Sequence, residues 1–336
     1  MVCLDESGED QGKTMKAAVY YENGGPEVFR YEELPDPAMG PSDVLIAVQA
    51  ISIEGGDTLN RFGGELTTVP HIVGYQCAGV VEAVGDLVTR IKPGDLVVST
   101  GTDGSHAEKR VAGEAFCWLI PQGLDLLEAA CVPIAFGTAH DALFEFGRLQ
   151  AGETVLIHAG ASGVGLAAIQ MAKQAGAQVL ATASSDDRLE QLKAFGLDKG
   201  INYVTDDFEQ GVRELTNGRG ADVIVDSVGG PTLQKSLRTL AYRGRCVSFG
   251  DAGRDGGALL DTSMMRGNNQ SLIGYFLGAE LFLSPRAHAM IAGLLQQVAD
   301  GELRSVVDSV FELADAEGAH RYIEERVAVG RVVMRP

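Results

Sequence analysis

The 336-residue chain is poor in cysteine, in basic residues and in long apolar runs. Its five cysteines, Cys3, Cys77, Cys117, Cys131 and Cys246, stand singly, and no C-x-x-C occurs. That spacing excludes a disulfide framework and implies a reduced, cytoplasmic protein whose cysteines pack as small hydrophobes. Lys and Arg number 27 against 46 Asp and Glu, a net charge of −19. Nucleic acid and anionic membrane surfaces both require a basic face, so neither is expected as a partner. No apolar stretch approaches the roughly 20 residues of a membrane-spanning helix. The opening MVCLDESGEDQGKT is acidic and lacks an apolar core, unlike a signal peptide, and residues 1–14 are expected to be disordered.

Glycine is plentiful, at 43 residues, and apolar residues make up 45% of the chain. Both suit a globular α/β enzyme, and the length suits two domains. The most informative stretch is Val155 to Gly165, VLIHAGASGVG. An apolar run ends in a small-residue turn, and helical spacing (Leu166, Ile169, Met171, Ala172) follows at once. Glycines at 160, 163 and 165 allow a sharp turn and close approach of a ligand. The new helix N-terminus offers free N–H groups and a positive dipole end to a phosphate. The frame is G-x-G-x-x-G with Ser162 at the second glycine. A further strand pattern, Gln178–Ala183, comes at βαβ distance.

The chain before this point is β-rich. Strands are expected at Met15–Tyr21, Val28–Glu33 and Asp43–Ile53, followed by short valine-rich strands with glycine corners from Val73 onward. A compact barrel fits. Helical spacing takes over from Leu126 to Phe146. Strands at Gly200–Tyr203, Asp222–Asp226 and Arg245–Phe249 then alternate with helices at Asp186–Phe195, Phe208–Thr216 and Thr232–Leu240, which makes a doubly wound parallel sheet. Ser271–Phe276 reads as a sixth strand. Helix Arg286–Asp300, the segment Val306–Glu312, a helix near Ala314–Glu325 and a closing strand Arg331–Met334 complete the chain.

Three motifs carry a family resemblance. They are Gly74, Gly79, Gly85 and Val88 with Lys92-Pro93-Gly94-Asp95, the turn Gly160–Gly165, and Asn202-Tyr203. Over residues 15 to 336 the chain resembles the zinc-free quinone oxidoreductases of the medium-chain dehydrogenase/reductase family. The resemblance implies a GroES-like substrate domain from residues 15–128 with 277–336, and an inserted Rossmann domain at 129–276. It also implies NADPH as cofactor.

The zinc-dependent dehydrogenases of that family place Cys, His and Cys on one catalytic metal. The matching positions here hold Glu54 (in Glu54-Gly55-Gly56-Asp57), Tyr75 (in Gly74-Tyr75-Gln76), and Ile134 or Ala135. No cysteine lobe for structural zinc follows Val98. Zinc needs about three or four N, S or O ligands, so no metal is expected, and His106, His140 and His158 are read as polar core or surface residues. An NAD site places an acid after the second strand; here the matching residue is Ala183. By the resemblance Ser184, Arg188 and Tyr203 hold a 2′-phosphate, with Asp186 and Asp187 as helix N-cap and first-turn acid. The resemblance further brings to the cofactor Thr138, the turn Gly160, Ala161, Ser162, Gly163, Val164 and Gly165, then Ser248, Phe249, Gly250, Phe276 and Leu277. Arg331 is expected to reach the adenosine phosphate.

Where the family's quinone reductases show Asn-x-x-Asp-x-Tyr, this chain keeps Asp57 but has Glu54 and Leu59. Glu54, Asp57 and Tyr75 are therefore the candidate catalytic residues. Glu54 and Tyr75 are expected to be neighbours in a zinc-shaped vacancy, where a protonated Glu54 could donate to a substrate oxygen or the pair could only brace the pocket floor. The function implied is NADPH-dependent hydride transfer to a quinone or an α,β-unsaturated carbonyl. A non-catalytic NADPH-binding protein and an enoyl-thioester reductase are the alternatives. Ser271–Phe276, as a sheet edge, is expected to pair with a second copy in a homodimer.

Overall fold

A computed structural model describes residues 13–336. The segment expected to be disordered falls almost wholly outside the described residues, and Thr14 already belongs to the first strand. Strand β1 (Thr14–Val19) pairs with β2 (Arg30–Pro35) as an antiparallel ribbon. The strand β3 (Asp43–Ser52) leads into helix α1 (Gly55–Gly63), and β4 (Gln76–Val84), β5 (Leu96–Thr100), β6 (Lys109–Gly113) and β7 (Cys117–Leu119) follow. Residue order carries no helical signal for α1, because two glycines open it. Capping supplies the missing stability: Asp57 Oδ2 accepts the backbone N–H of Glu54 at 2.8 Å.

Helices α2 (Leu126–Ala130) and α3 (Val132–His140) carry the chain to the second layer. There β8 (Thr154–Ile157), α4 (Gly163–Gln174), β9 (Gln178–Ala183), α5 (Asp186–Leu192), β10 (Lys199–Asn202), α6 (Phe208–Leu215), β11 (Ala221–Asp226), α7 (Gly230–Arg238) and β12 (Leu240–Ser248) alternate. After α8 (Ser263–Gly267) comes β13, which spans Ser271–Gly274 and stops short of Phe276. These strands form one six-stranded parallel sheet in the order β10-β9-β8-β11-β12-β13. The order reverses beside β8, and the crevice at that switch point is where open α/β sheets bind ligands.

Two further helices, α9 (Leu277–Leu283) and α10 (Pro285–Ala299), pack against α3. Leu277, Leu281 and Ile291 thereby extend the core shared with α4 beyond residue 276. The chain then returns to the first layer. Strands β14 (Val307–Glu312) and β15 (Arg331–Arg335), with α11 (Ala316–Glu324) between them, complete a seven-stranded sheet ordered β14-β15-β3-β4-β5-β7, with β6 on β3. Among the described residues no helix is long and apolar enough to cross a membrane.

Candidate active site

A cluster of buried and half-buried polar side chains is built around the N-terminus of α1. Asp57 is fully buried; its Oδ2 holds the Glu54 amide and its Oδ1 holds the Tyr75 amide at 3.1 Å. Burial pushes the Asp57 carboxyl up to about 8, in spite of those two amide donors. Asp57 therefore fixes the backbone of the two other candidates from beneath.

Glu54 and Tyr75 are near enough for the Glu54 charge to act on the phenol, but their hydrogen bonds go to other partners. Glu54, 4% exposed, has Oε1 occupied by Gln76 Nε2, by Arg331 Nη2 and, at 3.5 Å, by Ser52 Oγ. Burial raises the Glu54 carboxyl above its ordinary value, while the Arg331 charge and these hydrogen bonds pull it back. Tyr75 turns the other way. Its ring lies over Gly56, where any Cβ would collide with it, and its Oη accepts a hydrogen bond from Asn60 Nδ2 at 3.2 Å. Burial also pushes the phenol up to about 12, so it remains protonated at neutral pH.

Arg331 is a second departure. Expected at the adenosine phosphate, it is instead buried, with its guanidinium on Ser52 Oγ at 2.8 Å, the Ile53 carbonyl at 2.6 Å and Glu54. Burial alone would lower its pKa, but the facing Glu54 charge raises it, and it stays a cation. A Cβ on Gly163 would run into this side chain. Gly163 is thus required by Arg331 as much as by any ligand.

The turn itself has the geometry its sequence implied. Ser162 Oγ caps α4 by accepting the Gly165 amide at 3.1 Å, and Gly160 N donates to the Thr182 carbonyl at 2.8 Å. Ala161 is held from the other layer, its carbonyl accepting from Gly330 N at 2.9 Å. Val164 is the second residue of the same twelve-residue helix. At the end of β9, Arg188 Nη1 donates to Ser184 Oγ at 2.8 Å and Nη2 to the Arg326 carbonyl. Among the described residues Arg188 has no ion-pair partner. Tyr203 is brought alongside by its amide, which donates to the Ala183 carbonyl at 3.1 Å. Ser185, rather than Asp186, caps α5; Asp186 is turned aside by Asn202 Nδ2 at 3.1 Å. Ser248 ends β12, Phe249 N donates to the Asp226 carbonyl, and Gly250 passes so close to the Ser227 carbonyl that a Cβ would not fit. Thr138 sits buried on α3, and Phe276 is 67% exposed. Leu277 differs from expectation: it packs into the core against Gly137.

These residues fit a dinucleotide. A tight turn ends at a helix N-terminus with free amides, and a hydroxyl and a guanidinium without a carboxylate partner among the described residues stand where a ribose phosphate would lie. Comparison with known proteins agrees. Residues 163–300 match the family model "Zinc-binding dehydrogenase", and residues 40–122 match "Alcohol dehydrogenase GroES-like domain". A quinone oxidoreductase of Pseudomonas aeruginosa is 35% identical over 96% of this chain and 99% of its own. The chain belongs to the quinone oxidoreductase branch of the medium-chain dehydrogenase/reductase family. A 2-haloacrylate reductase of a Burkholderia species is 32% identical over 95% of this chain and 98% of its own. A mycobacterial protein solved in complex with NADPH superposes with a TM-score of 0.89 at 33% identity, covering 96% of this chain and all of the other.

Zinc, which the matched family description names, does not fit the donor set of this member. Glu54 is committed to Arg331 and Gln76, Tyr75 to Asn60, and the third position is Ile134 or Ala135, neither of which has a donor side chain. Among the described residues no three His, Cys, Asp or Glu side chains are grouped to hold a metal. Three residues of this oxidoreductase's site escape a reading of the sequence, or are misplaced by it. Gln76 lies in the Gly74-Tyr75-Gln76 motif but receives no role from it, and Asn60 carries no motif, although it stands one helical turn beyond Gly56. Arg331 lies 277 positions from Glu54 in sequence, and only the return of β15 to β3 brings them together.

Proposed function

We propose that this protein is an NADPH-dependent, zinc-independent reductase that transfers hydride to a quinone or an α,β-unsaturated carbonyl. One observation carries the reading. The Arg331 side chain runs from the glycine turn of α4 to Glu54 at the start of α1, so the cofactor cradle and the polar cluster adjoin. The bound dihydronicotinamide supplies the hydride. The chain supplies orientation: the turn Gly160–Gly165 holds the pyrophosphate, and Thr138, Ser248, Phe249, Gly250 and Phe276 border the rest of the cofactor. Glu54, Asp57 and Tyr75 lie on the substrate side. Two similar proteins are named for a quinone and a 2-haloacrylate; acceptors of this electron-poor kind need no Lewis acid to take hydride.

Ser184 and Arg188 favour NADPH over NADH, because a guanidinium not neutralised by a carboxylate stabilises a 2′-phosphate. Fluorescence titration is expected to show NADPH binding at least about tenfold tighter than NADH, and Arg188→Ala to erase most of that preference. Equal affinities in the parent protein would refute the assignment. Turnover is tested by NADPH oxidation against quinones, enones and enoyl thioesters. Consumption with the first two supports the reading, consumption with thioesters alone redirects it, and tight binding without consumption leaves a non-catalytic NADPH-binding protein.

We also propose a two-fold homodimer through β13. This strand ends its sheet with no partner beyond β12 among the described residues, and α10 packs on α3 and α9 instead of covering it. Light scattering at micromolar concentration should give twice the chain mass; a monomer would refute the pairing.

A further inference from the structure

We propose that Asn60 is a positioning residue, which holds the Tyr75 phenol as the proton donor to the substrate oxygen. The inference rests on the reductase reading above and concerns which group serves the oxygen.

Four side chains meet in this cluster, and their surroundings separate them. Glu54 and Asp57 are buried, whereas Tyr75 and Asn60 keep part of their surface open. Oε1 of Glu54 accepts from Arg331, Gln76 and Ser52, and both oxygens of Asp57 accept backbone amides. Both oxygens of Asp57 are thus taken, whereas Glu54 is anchored through Oε1 alone. Tyr75 is pinned at both ends. Asp57 Oδ1 holds its amide, the bare backbone of Gly56 seats its ring, and Asn60 Nδ2 reaches its Oη at 3.2 Å. Gly56 and Asn60 are four residues apart on α1, so both face the ring.

The polarity of the Asn60 contact decides the chemistry. An amide N–H can only donate, so the phenol oxygen accepts, and the phenol's own proton is left for another acceptor. Burial keeps that proton in place at neutral pH. When a conjugated carbonyl is reduced, the dihydronicotinamide C4–H bond breaks and a C–H bond forms at the β-carbon. The electron pair of the C=C bond shifts toward the carbonyl oxygen, which takes the Tyr75 proton to give an enol. Water reprotonates the phenolate, and the enol converts to the saturated carbonyl. The two electrons come from the hydride and the net proton from solvent. The Asn60 N–H stabilises the negative charge that develops on the phenol oxygen as its proton leaves.

The test is a double-mutant cycle with Tyr75→Phe and Asn60→Asp, read with an enone and NADPH. Asn60→Asp keeps the shape but reverses the polarity, because a carboxylate accepts the phenol proton. Each single variant is expected to lower kcat about a hundredfold, and the double variant to fall no further. The NADPH dissociation constant should stay within about twofold of the parent's. In Asn60→Asp, activity relative to the parent should recover as pH falls toward the carboxyl's ordinary range, near about 4, because a protonated carboxyl can again donate to the phenol. A merely structural role would not move that pH profile. If Asn60→Asp fails to fold, Tyr75→Phe alone still decides. Retention of kcat within about threefold in Tyr75→Phe, or losses that multiply in the double variant, would overturn the proposal. A parent protein that consumes no NADPH with any enone or quinone would overturn the reductase reading first, and this assignment with it.

Discussion

Glu54→Gln is expected to destabilise the fold by about 3 to 5 kcal/mol, the cost of leaving one partner of a buried ion pair uncompensated. The partner is Arg331, which is 7% exposed and reaches Glu54 from β15, the strand paired with β3. The substituted amide could still accept a hydrogen bond, but it would leave a buried guanidinium without its counter-charge. Urea unfolding measures the effect. Because an apolar pair of similar volume can replace a buried ion pair at little cost, Glu54→Gln with Arg331→Met should recover much of the loss. A Glu54→Gln variant within about 1 kcal/mol of the parent, yet slow in turnover, would instead make Glu54 a direct participant in the chemistry.

A comparably large effect is expected from pH, through a buried chain of histidines behind α1. Arg61, with no exposed surface, donates from Nη1 to His320 Nδ1 at 3.0 Å. The His320 proton must then sit on Nε2, which faces His106 Nε2 at 2.9 Å. His106 accepts there and carries its own proton on Nδ1, toward Ser105 Oγ at 3.3 Å. Both rings are thus held neutral. Burial lowers His106 to about 3, helped by the charges of Arg110 and Arg61. It lowers His320 as well, with His106 and Arg61 adding to the effect. Arg61 also binds Glu324, which is shared with Arg254 from the loop after β12 at 3.0 Å, so this network joins the two layers.

The sign of the pH effect follows from where each state binds its proton. Below about 6.5 the unfolded chain protonates His106, whereas the folded chain does so only near 3. The stability contributed by a neutral His106 is complete above about 6.5 and is lost as pH falls, at roughly 1.4 kcal/mol per unit and about 4 to 5 kcal/mol in all. Asp57 works in the opposite direction. Its carboxyl, raised by burial to about 8, makes folding less favourable as pH climbs through the range between its unfolded and folded values. The parent's profile alone therefore mixes the two. The stability difference between parent and His106→Gln isolates the histidine, and should shrink by about 1.4 kcal/mol per pH unit below about 6.5. A difference that stays constant from about pH 7.5 to about pH 5 would contradict the tautomer chain.

What could be read from the sequence is divided by range. The six-stranded sheet and its cofactor turn are local patterns. VLIHAGASGVG contains its own strand, its own cap in Ser162 and its own helix, so residue order specifies them. Strand β9 falls where its apolar run lies, Gln178–Ala183. The polar cluster is assembled from distant pieces instead. Glu54 meets Gln76 through the pairing of β3 with β4, and Arg331 through that of β15 with β3. Family position places Glu54 and Tyr75 together because two zinc ligands share one ion. Without the ion nothing obliges their side chains to converge, and each found a stronger partner: a cation for the carboxylate and an amide for the phenol. Helix α1 is hidden for another reason. Gly55 and Gly56 lower its propensity, and only the Asp57 cap and the contact of Gly56 with Tyr75 make that composition favourable.

The central claim, hydride transfer from NADPH to a conjugated acceptor in this cleft, is tested most directly by isotope. The protein is incubated with NADPH carrying two deuterium atoms at C4, a simple enone and no added metal, and the product is examined by NMR. One deuterium is expected on the β-carbon of the saturated ketone and a solvent hydrogen on the α-carbon. Formation of no saturated product, or a product with deuterium absent from the β-carbon, would contradict it.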